Sequence, residues 1–179
     1  MLLDEKDIIK NIKKGKIFIY PTDTIYGIGC DATNSKAVKK IREIKKKDNK
    51  PFSVIAPSKK WIIKNFYVNK KYLKKLPGKY TLILKLKNKK VVSKYVNNNM
   101  STLGVRIPKH DITKIIQKSG KPFVSTSVNI TGKDYIKNLK DLPKEILKNV
   151  DVIINVGVLN NKPSTIINLI GKKLKIIKR

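Results

Sequence analysis

Short apolar runs alternate with lysine-rich polar stretches along the chain, and the spacing of the apolar positions switches repeatedly between a helical and a strand period. From Asp4 to Lys14, Ile8, Ile9 and Ile12 fall on one side, which predicts an amphipathic helix with Asp4 able to cap its first turn. Gly15 stops that helix, and Lys16 to Tyr20 reads as a short strand ending at Pro21. The polar segment Pro21 to Thr33 then leads to a second helix, Ser35 to Lys46, with Ala37, Val38, Ile41 and Ile44 on its buried face. Phe52 to Ala56 reads as a strand, Trp61 to Phe66 as a helical or turn segment, and a Lys- and Tyr-bearing helix should end near Pro77-Gly78.

The second half repeats the theme. Tyr80 to Lys85 and Thr102 to Arg106 are strand-like, with a turn at Asn97-Asn98-Asn99 before the latter and Pro108 beyond it. Asp111 to Lys118 is helical and closed by Gly120. Phe123 to Thr126 and Val152 to Asn155 are strands with a brief helix, Leu142 to Lys148, between them. Thr165 to Asn168 and Leu174 to Ile177 form a hairpin turned at Gly171-Lys172. Strands recurring between helices give an α/β class whose sheet includes antiparallel pairs, and residues 1–179 are expected to form one domain.

Composition adds a strong charge. Forty-two Lys and Arg against 12 Asp and Glu give a net +30, so the chain repels itself at low salt and attracts polyanions at long range. Nucleic acid, a nucleotide and an acidic protein surface are all candidates, but a general bias towards lysine also accounts for most of the excess. An apolar fraction of 40% suffices for a core and argues against disorder along the whole length. The sole cysteine, Cys30, excludes an internal disulfide, and multi-Cys or multi-His metal sites have no supply. No signal-like start and no apolar stretch of spanning length are present, so no membrane association and a cytoplasmic location are expected.

Candidate chemistry gathers just beyond the predicted strands. Pro21-Thr22-Asp23-Thr24-Ile25-Tyr26-Gly27-Ile28-Gly29 offers hydroxyls, a carboxylate and a phenol, with glycines that would let backbone amides approach a ligand. It is either a ligand loop or an ordinary polar connection. Lys45-Lys46-Lys47-Asp48-Asn49-Lys50-Pro51 could surround a polyphosphate or be a solvated charge run at a helix end. Arg106 stands out because only three arginines occur, and its planar fork suits a carboxylate or phosphate. Ser125, Ser127 and Asn129 alternate in Ser125-Thr126-Ser127-Val128-Asn129-Ile130-Thr131-Gly132, so they would line one side of an extended segment. Pro163-Ser164-Thr165-Ile166-Ile167 repeats that design. Neither the G-x-x-x-x-G-K-[ST] nor the G-x-G-x-x-G spacing occurs, so phosphate binding would rest on side chains. His110 reads as a surface or capping residue and Cys30 as core packing, which leaves covalent catalysis without a base.

Taken together these motifs resemble the YrdC/Sua5 family of threonylcarbamoyl-AMP synthases over about Ile9 to Ile177. Pro21 to Gly27 is similar to the family's opening strand and substrate loop, Lys45-Lys46-Lys47 to its Lys-x-Arg, Lys50-Pro51 to its Lys-Pro, and Ser127-Val128-Asn129 to its Ser-x-Asn. Arg106 with Pro108 matches its Arg-x-Pro, and Pro163-Ser164-Thr165 its Pro-Ser-Thr. Lys47 departs from the usual Arg, keeping charge without the fork, and Asn168 stands where an acidic residue is common.

The resemblance implies a YrdC-like twisted mixed sheet with flanking helices around a basic concavity. It implies L-threonylcarbamoyladenylate synthase activity, from ATP, L-threonine and bicarbonate with Mg2+ on the triphosphate, serving threonylcarbamoyladenosine in tRNA. A separate threonylcarbamoyl transferase would act downstream, and tRNA or double-stranded RNA is a possible partner. The length matches the short form without an added C-terminal domain. On this reading Lys45, Lys47 and Lys50 surround the phosphates and Ser125, Ser127, Asn129 and Ser164 contact the nucleotide. Thr24, Tyr26 and Arg106 orient threonine and its carbamate, Arg106 serving either a carboxylate or a phosphate. The alternatives are an RNA-binding module without synthase activity and a carbamoyl-adenylating enzyme acting on another acceptor.

Overall fold

The computed structural model describes residues 4–46, 50–171 and 173–178. Ten strands among them join one mixed sheet. In chain order the elements are α1 (Glu5–Lys13), β1 (Phe18–Tyr20), β2 (Gly27–Gly29), α2 (Ser35–Ile44), β3 (Ser53–Ile55), α3 (Lys59–Asn65), β4 (Phe66–Tyr67) and β5 (Tyr80–Leu86). They continue with α4 (Lys94–Asn97), β6 (Thr102–Arg106), α5 (Asp111–Ser119), β7 (Phe123–Ser127), α6 (Lys144–Leu147), β8 (Val152–Ile153), β9 (Thr165–Asn168) and β10 (Lys175–Ile177). Strand order across the sheet is β10-β9-β5-β6-β3-β7-β2-β1-β8, with β4 beside β5. The β1–β8, β3–β6 and β5–β9 pairs are parallel and the others antiparallel.

Side-chain alternation along the central strands decides what each face holds. Val54, Leu82, Leu84, Leu103, Val105 and Val124 point into the larger apolar cluster, where Ala37, Val38, Ile41 and Ile44 of α2 and Ile62 of α3 cover them. Ile55 and Phe123 belong to a second cluster on the opposite parity, under Ile8 and Ile12 of α1 and Ile112 and Ile116 of α5. Helices α1 and α5 cover only part of that second face. Beyond them its positions are Ser53, Thr81, Gly104 and Ser125, all small and mostly hydroxylic, and there the sheet carries open cavities rather than a helix.

Several local expectations are corrected. Asp4 occupies the N-cap of α1 with extended backbone but makes no side-chain cap bond, whereas Asn34 and Ser58 accept from Ala37 N and Trp61 N. The segment after Pro21 is not all loop, because Gly27–Gly29 pairs with both β1 and β7. Its glycines answer to packing: a Cβ on Gly29 would sit 2.0 Å from the Val124 carbonyl oxygen, and one on Gly27 would strike the Tyr20 ring. The Lys- and Tyr-bearing helix is a 3-10 helix, Lys70–Lys75. Trp61 to Phe66 divides into α3 and the first residue of β4.

Candidate functional site

The uncovered part of the sheet forms a trough with two connected chambers. The smaller, about 170 Å³, is lined by Thr22, Thr24, Tyr26, Arg106, Ser125, Ser127 and Ser164 among others. The larger, about 490 Å³, is lined by Phe52, Ile83, Met100, Ile166 and Asn168 with their neighbours. Ser53, Thr81 and Thr126 border both, so they form the waist. One chamber is polar and the other mainly apolar, a division suited to a ligand with a charged end and an aromatic end.

Arg106 dominates the polar end. It is 6% exposed, and its Nη2 donates to Asp23 Oδ1 at 2.7 Å and to Thr24 Oγ1 at 3.2 Å. Asp23 uses its other oxygen to accept from the Lys109 backbone N–H at 2.9 Å. Arg106 Nε is buried with no hydrogen-bond partner, which is costly unless a ligand supplies one. Burial pulls the Arg106 guanidinium below its ordinary pKa, while Asp23 and then Tyr20 act to hold it up.

The hydroxyls beside it have a readable direction. Thr22 Oγ1 donates to the Ile25 carbonyl at 2.8 Å, so in its 2.9 Å contact with Thr24 the Thr24 hydroxyl must be the donor. Thr24 Oγ1 also accepts from Arg106 and keeps only lone-pair capacity for a ligand.

Thr24, Tyr26, Arg106, Ser125, Ser127 and Ser164, all expected from the sequence, are therefore brought together around one chamber. Several are placed differently from their expected use. The Tyr26 hydroxyl accepts from Val156 N at 3.0 Å and donates to the Gly157 carbonyl at 2.8 Å, so it braces the loop at the chamber's edge. Lys45 is 2% exposed, and its ammonium donates to Ser127 O at 2.6 Å and to Asn129 O and Oδ1 at 2.7 Å each. It pins the strip after β7 from behind. Asn129 also accepts from Ser127 Oγ and donates to Lys133 O, so its side chain organises the same strip. Lys50 is exposed at the rim, next to Pro51 of the larger chamber. Lys47 lies outside the described residues. Ser164 Oγ and Thr81 Oγ1 are 2.7 Å apart, linking the residue before β9 to β5 at the waist.

Sequence reasoning missed the waist residues Ser53 and Thr81, and the apolar chamber. Their signal was parity: each hydroxyl sits one position from a core residue, in Ser53-Val54 and Thr81-Leu82. His110 and Cys30 are placed as the capping and core-packing residues the sequence suggests. His110 Nδ1 caps α5 by accepting from Ile112 N at 3.2 Å, and burial first, then Asp31, push the Cys30 thiol up in pKa. Among the described residues no cluster of three or more His, Cys, Asp or Glu could hold a metal, and no helix is long and apolar enough to cross a membrane.

Comparison with known proteins supports this architecture. A Methanocaldococcus jannaschii protein provisionally named as a threonylcarbamoyl-AMP synthase is 41% identical over 173 residues, covering 92% of this chain and 80% of its own. The threonylcarbamoyl-AMP synthase of Buchnera aphidicola subsp. Schizaphis graminum is 33% identical, with 93% of each chain covered. Among solved structures, Pyrococcus abyssi Sua5 complexed with L-threonine superposes with a TM-score of 0.86 at 27% identity over 98% of this chain, which spans 54% of that longer protein. A family model described as telomere recombination, Sua5_yciO_yrdC, matches residues 10–179. The chain belongs to the Sua5/YciO/YrdC family.

Proposed function

We propose that this protein is a threonylcarbamoyl-AMP synthase, using ATP, L-threonine and bicarbonate to make L-threonylcarbamoyl-AMP and pyrophosphate for tRNA threonylcarbamoyladenosine. The observation that carries the reading is the two-chambered trough, a small arginine-and-hydroxyl end joined through a hydroxylic waist to an apolar chamber. The family's named synthases and the threonine complex of a relative support the same assignment.

In this reading threonine occupies the Thr24 and Arg106 end. The nucleoside lies against Phe52, Ile83, Met100 and Ile166, and the α-phosphate meets the waist hydroxyls with Ser125, Ser127 and Ser164. Threonine nitrogen joins bicarbonate to give a carbamate and water. A carbamate oxygen then attacks the α-phosphorus and pyrophosphate leaves. The protein's contribution is alignment and charge compensation rather than covalent catalysis. Lys45 and Asn129 act by holding the Ser127 strip, while Lys50 at the rim and Lys47 neutralise the outer phosphates. The donor set fits magnesium carried on the triphosphate with its water shell, because the trough offers hydroxyls and Asp23 is committed to Arg106. Magnesium would supply charge neutralisation for the departing pyrophosphate.

The reading treats residues 1–179 as one cytoplasmic working unit that hands its product to a separate threonylcarbamoyl transferase. Purified protein incubated with ATP, labelled threonine, bicarbonate and magnesium should release pyrophosphate only when threonine and bicarbonate are both present. Release independent of either one, or none at all beside an active relative, would end the synthase assignment. Double-stranded RNA or tRNA binding without turnover is a second reading, favoured by the +30 charge and by Tyr67, which is 62% exposed with Lys85 and Lys87 about its ring. Salt-sensitive duplex binding with no pyrophosphate release would select it.

A further inference from the structure

We infer that Asp23 is a positioning and specificity-determining residue: by neutralising Arg106 from behind, it reserves that end of the trough for the carboxylate of a neutral amino acid and turns phosphate away. The inference rests on the trough being the substrate site and decides which substrate group Arg106 serves.

Three observations lead to it. Arg106 lines the small chamber and Asp23 does not, yet the two form an ion pair at 2.7 Å with side-chain exposures of 7% and 6%. The pair therefore presents almost no net charge to a ligand, while the guanidinium still has unengaged N–H donors, Nε among them. A phosphate dianion would meet the arginine's attraction and the fixed repulsion of Asp23 in a place poorly screened by water, whereas an amino-acid zwitterion carries no net charge to oppose. Thr24 adds the complementary half. Its hydroxyl proton is committed to Thr22, so it can only accept, which suits the N–H or β-hydroxyl of an amino acid and not a phosphate oxygen. Donor and acceptor thus stand side by side in the order that an α-amino acid requires.

The Lys109 N–H bond on Asp23 fixes the carboxylate to the turn after β6, so the counter-charge cannot swing away when a ligand arrives. Polyphosphate is left to the rim, where Lys50 is exposed next to Pro51 of the larger chamber. Asp23 touches no substrate in this arrangement and acts through Arg106.

The test exploits a chain with three arginines, Arg42, Arg106 and Arg179, whose Nε–H signals are few enough to resolve in a 15N-labelled sample. The Arg106 signal is assigned by its loss in Arg106→Lys. Titrating the full chain with L-threonine should shift it, and inorganic phosphate at equal concentration should not. In Asp23→Asn phosphate should now move the signal, with its affinity raised about ten-fold or more, while the affinity of net-neutral threonine should change less, as expected when one fixed neighbouring charge is removed. A purely structural role would weaken both ligands alike and create no new phosphate response. If Asp23→Asn does not fold, Thr24→Val keeps the ion pair and should lose threonine affinity while staying indifferent to phosphate. Phosphate shifting the wild-type Arg106 signal as readily as threonine, no wild-type threonine shift, or unchanged ligand preference in folded Asp23→Asn would each overturn the inference. Failure of the synthase reading appears separately, as absent pyrophosphate release in wild-type protein whose titrations still behave as stated.

Discussion

Replacing Lys45 by Met separates two uses of one buried cation. If the ammonium serves as the pin described above, the substitution removes the donor from two backbone carbonyl oxygens and leaves the Asn129 amide oxygen only its bond from Ser127 Oγ, all three oxygens lying within 2.7 Å of Nζ. Hydrogen bonds to a charged donor contribute about 1.5–3 kcal/mol each, but they share one donor and Met removes the cost of burying its charge, so a net loss of about 3 kcal/mol is expected. At roughly 2–4 °C per kcal/mol for a domain of this size, thermal unfolding should move down by about 6–12 °C. Circular dichroism melts of wild type and variant measure this directly. Amide exchange should also quicken around Thr131, whose N–H donates to the Lys45 carbonyl. A melting shift under about 2 °C combined with a large loss of ATP affinity would refute the pin and return Lys45 to direct contact with phosphates.

Gly104 faces the waist, where a Cβ would lie 3.1 Å from Ser53 Cβ and 3.3 Å from Thr81 Cγ2. Gly104→Val should therefore weaken nucleotide binding at least ten-fold in calorimetry at a stability cost of about 1–3 kcal/mol, and undiminished binding would place the nucleotide elsewhere. Tyr26→Phe removes the hydroxyl bridging Val156 N and Gly157 O, so exchange protection at the Val156 amide should drop with a loss of about 1–2 kcal/mol; unchanged protection would contradict the brace. His110 must be neutral to accept from Ile112 N, and burial lowers its pKa against the opposing pull of Asp111 and Asp23. The unfolded chain then binds the extra proton, so this contribution is present above about pH 6.5 and is lost as pH falls from there towards the folded value. The wild-type denaturant midpoint should fall relative to that of His110→Asn, whose cap does not titrate, on acidification across that window; a constant gap would remove the titration from the account.

The pattern of apolar residues gave most elements because core contacts here follow local periodicity closely. The Ile-bearing faces of α1, α2 and α5 were visible as spacing and are the faces that pack. What escaped was set by distant partners. Gly27–Gly29 is too short and too glycine-rich to announce a strand, and becomes one because β1 and β7 hold it on both sides. The candidate site was legible as residue types, since Thr24, Arg106, Ser125, Ser127 and Ser164 do meet. Roles were less legible, because direction depends on what lies behind each group. A lysine beside a Ser-x-Asn strip reads as a phosphate ligand until the carbonyls facing its ammonium are known, and an arginine reads as a free cation until Asp23 is found against it.

That last point bears on why so basic a chain can still discriminate among anions. A net +30 draws phosphates to every surface, and in an undifferentiated cavity the more highly charged ligand would always win. Discrimination then has to come from subtracting charge locally, and only a buried carboxylate can do so without being screened by solvent. Acidic residues are few in this sequence, with 12 against 42 basic ones, and one of the most deeply buried is spent on Arg106 at the edge of the trough. Such a pair contributes little to stability on its own because of its desolvation cost. Its position at the small chamber is accounted for if what it provides is a neutral subsite within a cationic protein, where an amino acid can remain bound while a triphosphate occupies the neighbouring chamber.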